Sequence, residues 1–183
     1  MDESQQPGAP GILTHSLTLV RIPNPEPNTL HIDDIAFALS NQCRFAGHVP
    51  FYSVAEHSVL VSRWCAPEDA LAGLLHDATE AYIQDIPRPI KKLLPGYVEL
   101  EDMLYSVIAE RFSIPARVPD SVAYADNAVL LLERQLLLGG CTKGVWPDSS
   151  KFVDLFASGV RVECLQPKEA RKLFLDRFQE LTS

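Results

Sequence analysis

The chain has 183 residues, 46% of them apolar and 22% charged, with a net charge of −8. That balance suits one globular domain and argues against a disordered chain. It also argues against a grip on duplex nucleic acid, which needs a basic face to neutralise phosphates, and no apolar run is long enough to span a bilayer.

Residues 1–10 are polar with Pro7 and Pro10 and are expected to form a flexible tail, leaving 11–183 as a single domain. The β-branched residues between Ile12 and Ile22 predict a short strand or hairpin, stopped by Pro23, Pro25 and Pro27. From Asp33 onward the apolar period is helical. Asp33 and Asp34 acidify the start of the first helix, and Ser53 with Glu56 reads as a capping box opening a second, to about Trp64. Pro67, Glu68 and Asp69 predict another helix start, with the helix over by Pro87-Arg88-Pro89. Further helices are expected over Tyr97–Phe112, from Asp120 to about Leu138 with a stop at Gly139-Gly140, and from Pro167 onward. Val160, Val162 and Cys164 alternate as a small strand would. The fold class expected is all-α, a helical bundle with room for a small N-terminal β-hairpin.

Cys43, Cys65, Cys141 and Cys164 contain no Cys-x-x-Cys pair and are expected as reduced, mostly buried thiols. The acidic, polar start lacks the basic and apolar regions of a signal peptide, so the expected compartment is the cytoplasm.

Polar residues interrupt the helical pattern at three places. His57 precedes Val59-Leu60-Val61, His76-Asp77 follows Leu74-Leu75, and Asp126 lies among Ala123, Ala125, Ala128 and Val129. No Lys or Arg stands at i±3 or i±4 from Asp126, so its carboxylate needs a partner from elsewhere: a cation, a set of donors or a proton. If His76 and Asp77 continue a helix, Glu80 shares their face. Two imidazoles and two carboxylates suit a divalent cation, although a lone histidine on an apolar face is commonly satisfied by its neighbours instead.

The pattern His57…His76-Asp77…Asp126 resembles the HD-domain phosphohydrolases. The stretches around Glu56-His57-Ser58, and from His76-Asp77 through Glu80, Asp85, Pro87 and Pro89 to Lys91, are similar to the branch with bacterial 5′-deoxynucleotidases and phage dATP triphosphohydrolases. The resemblance runs from about Ile32 to about Arg134. It implies an HD-domain bundle with His57, His76, Asp77 and Asp126 as metal ligands, for Mn, Co, Mg, Zn or Fe. It implies that Glu80 and Asp85 are catalytic, handling the attacking water and the leaving group. Arg44, Phe45 and Lys91 match substrate-binding positions, with Phe45 where relatives often carry Trp. The expected activity is metal-dependent hydrolysis of phosphate ester or anhydride bonds in (deoxy)nucleotides, by a deoxynucleoside 5′-monophosphatase or a dNTP triphosphohydrolase. The alternative is a sensor that binds metal and nucleotide without turnover. The expected partner is a nucleotide substrate, with no duplex nucleic acid, no membrane and room for a homo-oligomer. Glu80 is expected to be ionised beside a cation, and Arg88 and Arg117 are expected at the surface.

Overall fold

The structure, a computed structural model, describes residues 10–139 and 160–183. The expected hairpin is present: Gly11–Leu13 (β1) pairs antiparallel with Leu19–Arg21 (β2), Ile12 opposite Val20. The acidic start of Ile32–Asn41 (α1) does more than favour a helix terminus. The buried Asp34 carboxylate accepts from the Ser16 amide and hydroxyl, each at 2.7 Å, and from the Thr14 hydroxyl at 2.8 Å, fastening the hairpin tip to the helix.

Val54–Trp64 (α2) is the central element, with every residue from Val54 to Ser62 buried. It packs against α1, Ala70–Leu75 (α3), Asp120–Leu137 (α7) and Pro167–Thr182 (α8). Two of its buried hydroxyls are satisfied by nearby carbonyls. The Ser58 hydroxyl donates to the Val54 carbonyl at 2.9 Å, and the Ser62 hydroxyl to the Ala70 carbonyl at 2.8 Å. Gly73 permits the close approach of α3, since a Cβ there would lie 2.8 Å from Cys65 Sγ and 3.1 Å from Ser62 Cα.

Only half of the expected capping box forms. Ser53 Oγ accepts from the Glu56 amide at 3.1 Å, but the Glu56 carboxylate turns to the far end of the chain. There it accepts from the amides of Glu163, Cys164 and Leu165 at 2.7, 3.2 and 2.8 Å. This overturns the strand expected at Val160, Val162 and Cys164. A carboxylate consumes the N–H groups that a ladder would need, and Cys164 turns left-handed at φ 55°.

A second correction concerns the helix expected to start at Pro67. It is a 3-10 turn, Pro67–Asp69, then α3, a turn through His76–Thr79, and the short helix Glu80–Ile83 (α4). Arg88–Lys91 (α5) and Tyr97–Phe112 (α6) follow. Gly139, at φ 69°, ends the chain of α7 as its position predicts. The N-terminal tail up to residue 9, Gly140 and Cys141 lie outside the described residues. Cys43, Cys65 and Cys164 are free but only partly buried. The described residues are therefore mostly helical with one small antiparallel sheet. Among the described residues, no helix is long and apolar enough to cross a membrane.

Candidate metal centre

Three separate elements deliver the polar residues that broke the apolar pattern. His57 comes from the buried α2, Asp126 from α7, and His76-Asp77 from the turn after α3. One nitrogen of each imidazole is already held. His57 Nδ1 lies 2.5 Å from Glu133 Oε1, and His76 Nδ1 lies 2.8 Å from the Gly73 carbonyl. An acceptor at Nδ1 fixes that nitrogen as the donor and leaves Nε2 to face the site.

Both Nε2 atoms are buried and complete no hydrogen bond among the described residues. The ligand atoms of His57, His76 and Asp126 all lie within 4.8 Å of one another, so this buried group could hold a metal ion. Asp126 Oδ1 is 3.2 Å from His57 Nε2 and 4.0 Å from His76 Nε2. Asp77 borders the same point, its Oδ2 3.2 Å from His76 Nε2 and 3.7 Å from His57 Nε2. Two converging imidazole nitrogens flanked by carboxylate oxygens are a donor set that a divalent transition ion fits. The turn at His76–Thr79, not one continuous helical face, is what places this pair.

The charges at the site reinforce one another. Burial works against ionising Asp77, but His76, His57 and Arg44 outweigh it and hold the carboxyl well below the usual range. Asp126 is likewise lowered against its burial, by the His57 imidazole 3.2 Å away and then by His76. Burial and Arg44 oppose charge on His57, yet Glu133 and the neighbouring Asp126 carboxylate raise it to about 9.

Glu133 is the principal residue that sequence reasoning missed. Fully buried on α7, it accepts from Tyr52 Oη at 2.6 Å, faces His57 Nδ1, and pairs with Arg44 Nε at 3.3 Å. Its signal was available: it stands two turns after Asp126, directly after Leu131-Leu132 on the core-facing stripe. We expect Glu133→Gln, which keeps the shape and removes the charge, to weaken divalent-metal affinity about 10–100-fold, the usual worth of a partner that orients a ligand. Calorimetric titration with Mn²⁺ checks it, and wild-type affinity would remove Glu133 from the site.

The centre opens on a cavity of about 1050 Å³ bordered by Arg44, Phe45, Glu80, Asp85 and Lys91, which brings every sequence-assigned substrate and acid–base residue to one wall system. Their settings differ. Arg44 is buried and already paired with Glu133 and, at 3.5 Å, with Asp77, so it braces a ligand as well as facing the cavity. Phe45 and Ala46 both hold positive φ, 55° and 51°, a conformation uncommon for residues with a Cβ. Lys91 Nζ lies 2.6 Å from Glu101 and 3.8 Å from Glu80. Arg88 is largely exposed as expected, yet its guanidinium reaches Asp126 Oδ2 at 2.5 Å. Arg117 is exposed at the cavity rim.

Glu80 is buried, its Oε2 has no hydrogen-bond partner among the described residues, and burial followed by Asp77 and Asp85 pushes its carboxyl well above the ordinary range, so with these neighbours it favours the protonated form. Asp85 is also raised, by burial first and by Asp77, against the pull of Arg44 and Lys91. Just before it, Gln84 holds φ 72° and ψ 153°, a region nearly confined to glycine that costs on the order of 1–3 kcal/mol.

Similarity to known proteins is extensive. The chain is 44% identical over 155 residues to "Uncharacterized protein YfdR" of Escherichia coli (strain K12), covering 82% of this chain and 84% of that one. It is 32% identical over 173 residues to "Uncharacterized protein RCAP_rcc00048" of Rhodobacter capsulatus, covering 86% and 88%. No family model matches the chain.

Proposed function

Because the chain belongs to the family of YfdR and RCAP_rcc00048, both named only as uncharacterized, we propose its activity from the site: it is a metal-dependent phosphohydrolase of the HD-domain type, acting on (deoxy)nucleotides. The observation that carries this reading is the pair of buried, unpartnered Nε2 atoms meeting Asp126 beside a cavity large enough for a nucleotide.

A divalent ion held by His57, His76, Asp126 and Asp77 would neutralise phosphoryl oxygens and lower the pKa of water. The chain's own residues supply the rest. Asp85 accepts the proton of the attacking water, and Glu80 hands a proton to the leaving oxygen. Arg88 and Lys91 offset phosphate charge in an acidic protein. Phe45 presents an aromatic face to the base.

The test is a panel of deoxynucleoside mono- and triphosphates with Mn²⁺, Co²⁺, Mg²⁺ or Zn²⁺, with the released anion identified. Orthophosphate marks a monophosphatase and triphosphate a triphosphohydrolase. Tight nucleotide binding without release of any anion under every metal would favour the sensor and overturn the hydrolase.

A further inference from the structure

The short helix α4 carries Glu80 at its start, and Asp85 follows two residues after its end. The last hydrogen bond of the helix, from the Gln84 amide to the Glu80 carbonyl at 3.0 Å, stops one residue short of Asp85, and Gln84 itself is held in a backbone conformation that a side chain disfavours. The restraint comes from outside. Gln42, directly after α1, donates from Nε2 to the Glu80 carbonyl at 2.9 Å and accepts the Asp85 amide at Oε1 at 3.2 Å. One side chain thus spans both ends of the segment that bears the two acidic groups.

The clamp is itself anchored. The Gln42 carbonyl accepts the Val54 amide at 3.1 Å, and Cys43 bridges Ser53, so Gln42 is tied to the first turn of the helix that carries His57. On the opposite side, Tyr97 Oη donates to the Gln84 carbonyl at 3.0 Å. Resting on the phosphohydrolase reading for its catalytic meaning, we infer that Gln42 is a positioning residue: its amide holds Gln84 in the disfavoured conformation and so keeps the Asp85 carboxylate in register with the metal centre. Strain at a functional site persists only where surrounding contacts over-determine it, and the amide clamp and Tyr97 provide those contacts.

The test compares wild type with Gln42→Ala and with Gln42→Ala/Gln84→Gly, using deoxyadenosine 5′-monophosphate and p-nitrophenyl phosphate with Mn²⁺. In Gln42→Ala, kcat is expected to fall about 10–100-fold on both, with KM changed less than about threefold. Bound Mn²⁺ stays at the wild-type level. Adding Gln84→Gly, which adopts the required backbone without strain, recovers part of the lost kcat. Amide hydrogen exchange is the arm independent of turnover. The Asp85 amide exchanges faster in Gln42→Ala, while amides of α2 and α7 stay protected. Wild-type kcat in Gln42→Ala, or unchanged Asp85 exchange, overturns the inference. If the wild type hydrolyses neither probe nor any nucleotide, the hydrolase reading fails, and the exchange arm alone decides whether Gln42 holds Asp85.

Discussion

Asp126→Ala is expected to leave a folded protein that no longer takes up a divalent ion. The Asp126 carboxylate offers Oδ1 to the two imidazoles and Oδ2 to Arg88, so alanine removes the one α7 oxygen that closes the group from the side facing His57 and His76. The loss also leaves the His57 charge with one partner fewer at a fully buried site, which lowers stability. Metal content after loading with Mn²⁺ or Co²⁺, measured beside a melting curve, separates the two effects. Full occupancy in Asp126→Ala would sink the assignment.

The same centre sets a pH signature. His57, raised to about 9, must give up a proton before Nε2 can coordinate, so metal affinity should climb as pH rises from about 6.5 toward 9 and flatten above it. Stability of the chelated protein runs the other way. The folded-state value is raised, so the charged imidazole contributes fully below about 6.5, and its contribution disappears as pH rises through about 9. Melting curves with chelator and with metal should therefore diverge with increasing pH.

Asp85→Asn is expected to retain metal and nucleotide binding and to lose turnover by about 10²–10⁴-fold, the usual worth of a positioned acid–base group. Asparagine keeps the shape and removes the base. Burial, then Asp77, raises the Asp85 carboxyl above its ordinary range, which improves it as a proton acceptor near neutral pH. For a base the sign is fixed: wild-type activity falls as pH drops through the raised value, and that acid limb disappears in Asp85→Asn. Single-turnover rates against pH, with bound metal measured in parallel, check both statements. Hydrolysis at the wild-type rate would mean that Asp85 does not handle the attacking water.

Burial of charge at a functional site left its trace in the sequence wherever a carboxylate or imidazole interrupted an apolar period. His57, His76, Asp77 and Asp126 were visible in that way, because an unmatched Asp such as Asp126 has no local partner within its own helix. Glu133 was visible by the same logic and overlooked, since Glu is an ordinary helix residue.

Local sequence determined the helical character, the hairpin, the Ser53 cap and the Gly139 stop, because apolar period, capping chemistry and glycine's access to positive φ act within a few residues. Tertiary structure alone decided the break of the helix at His76, the turning of Glu56 toward Glu163–Leu165, and the clamp that Gln42 places on Asp85. It also decided that Arg44 braces Asp77 through a buried pair with Glu133, and that Glu80 is pushed toward its protonated form. The Gln42 and Glu56 contacts join groups 38 to 109 residues apart in the chain. Hydrogen bonds and desolvation between such distant groups have no periodicity for the sequence to display, and they come into being only when packing around α2 excludes water and forces each buried polar atom to find its partner.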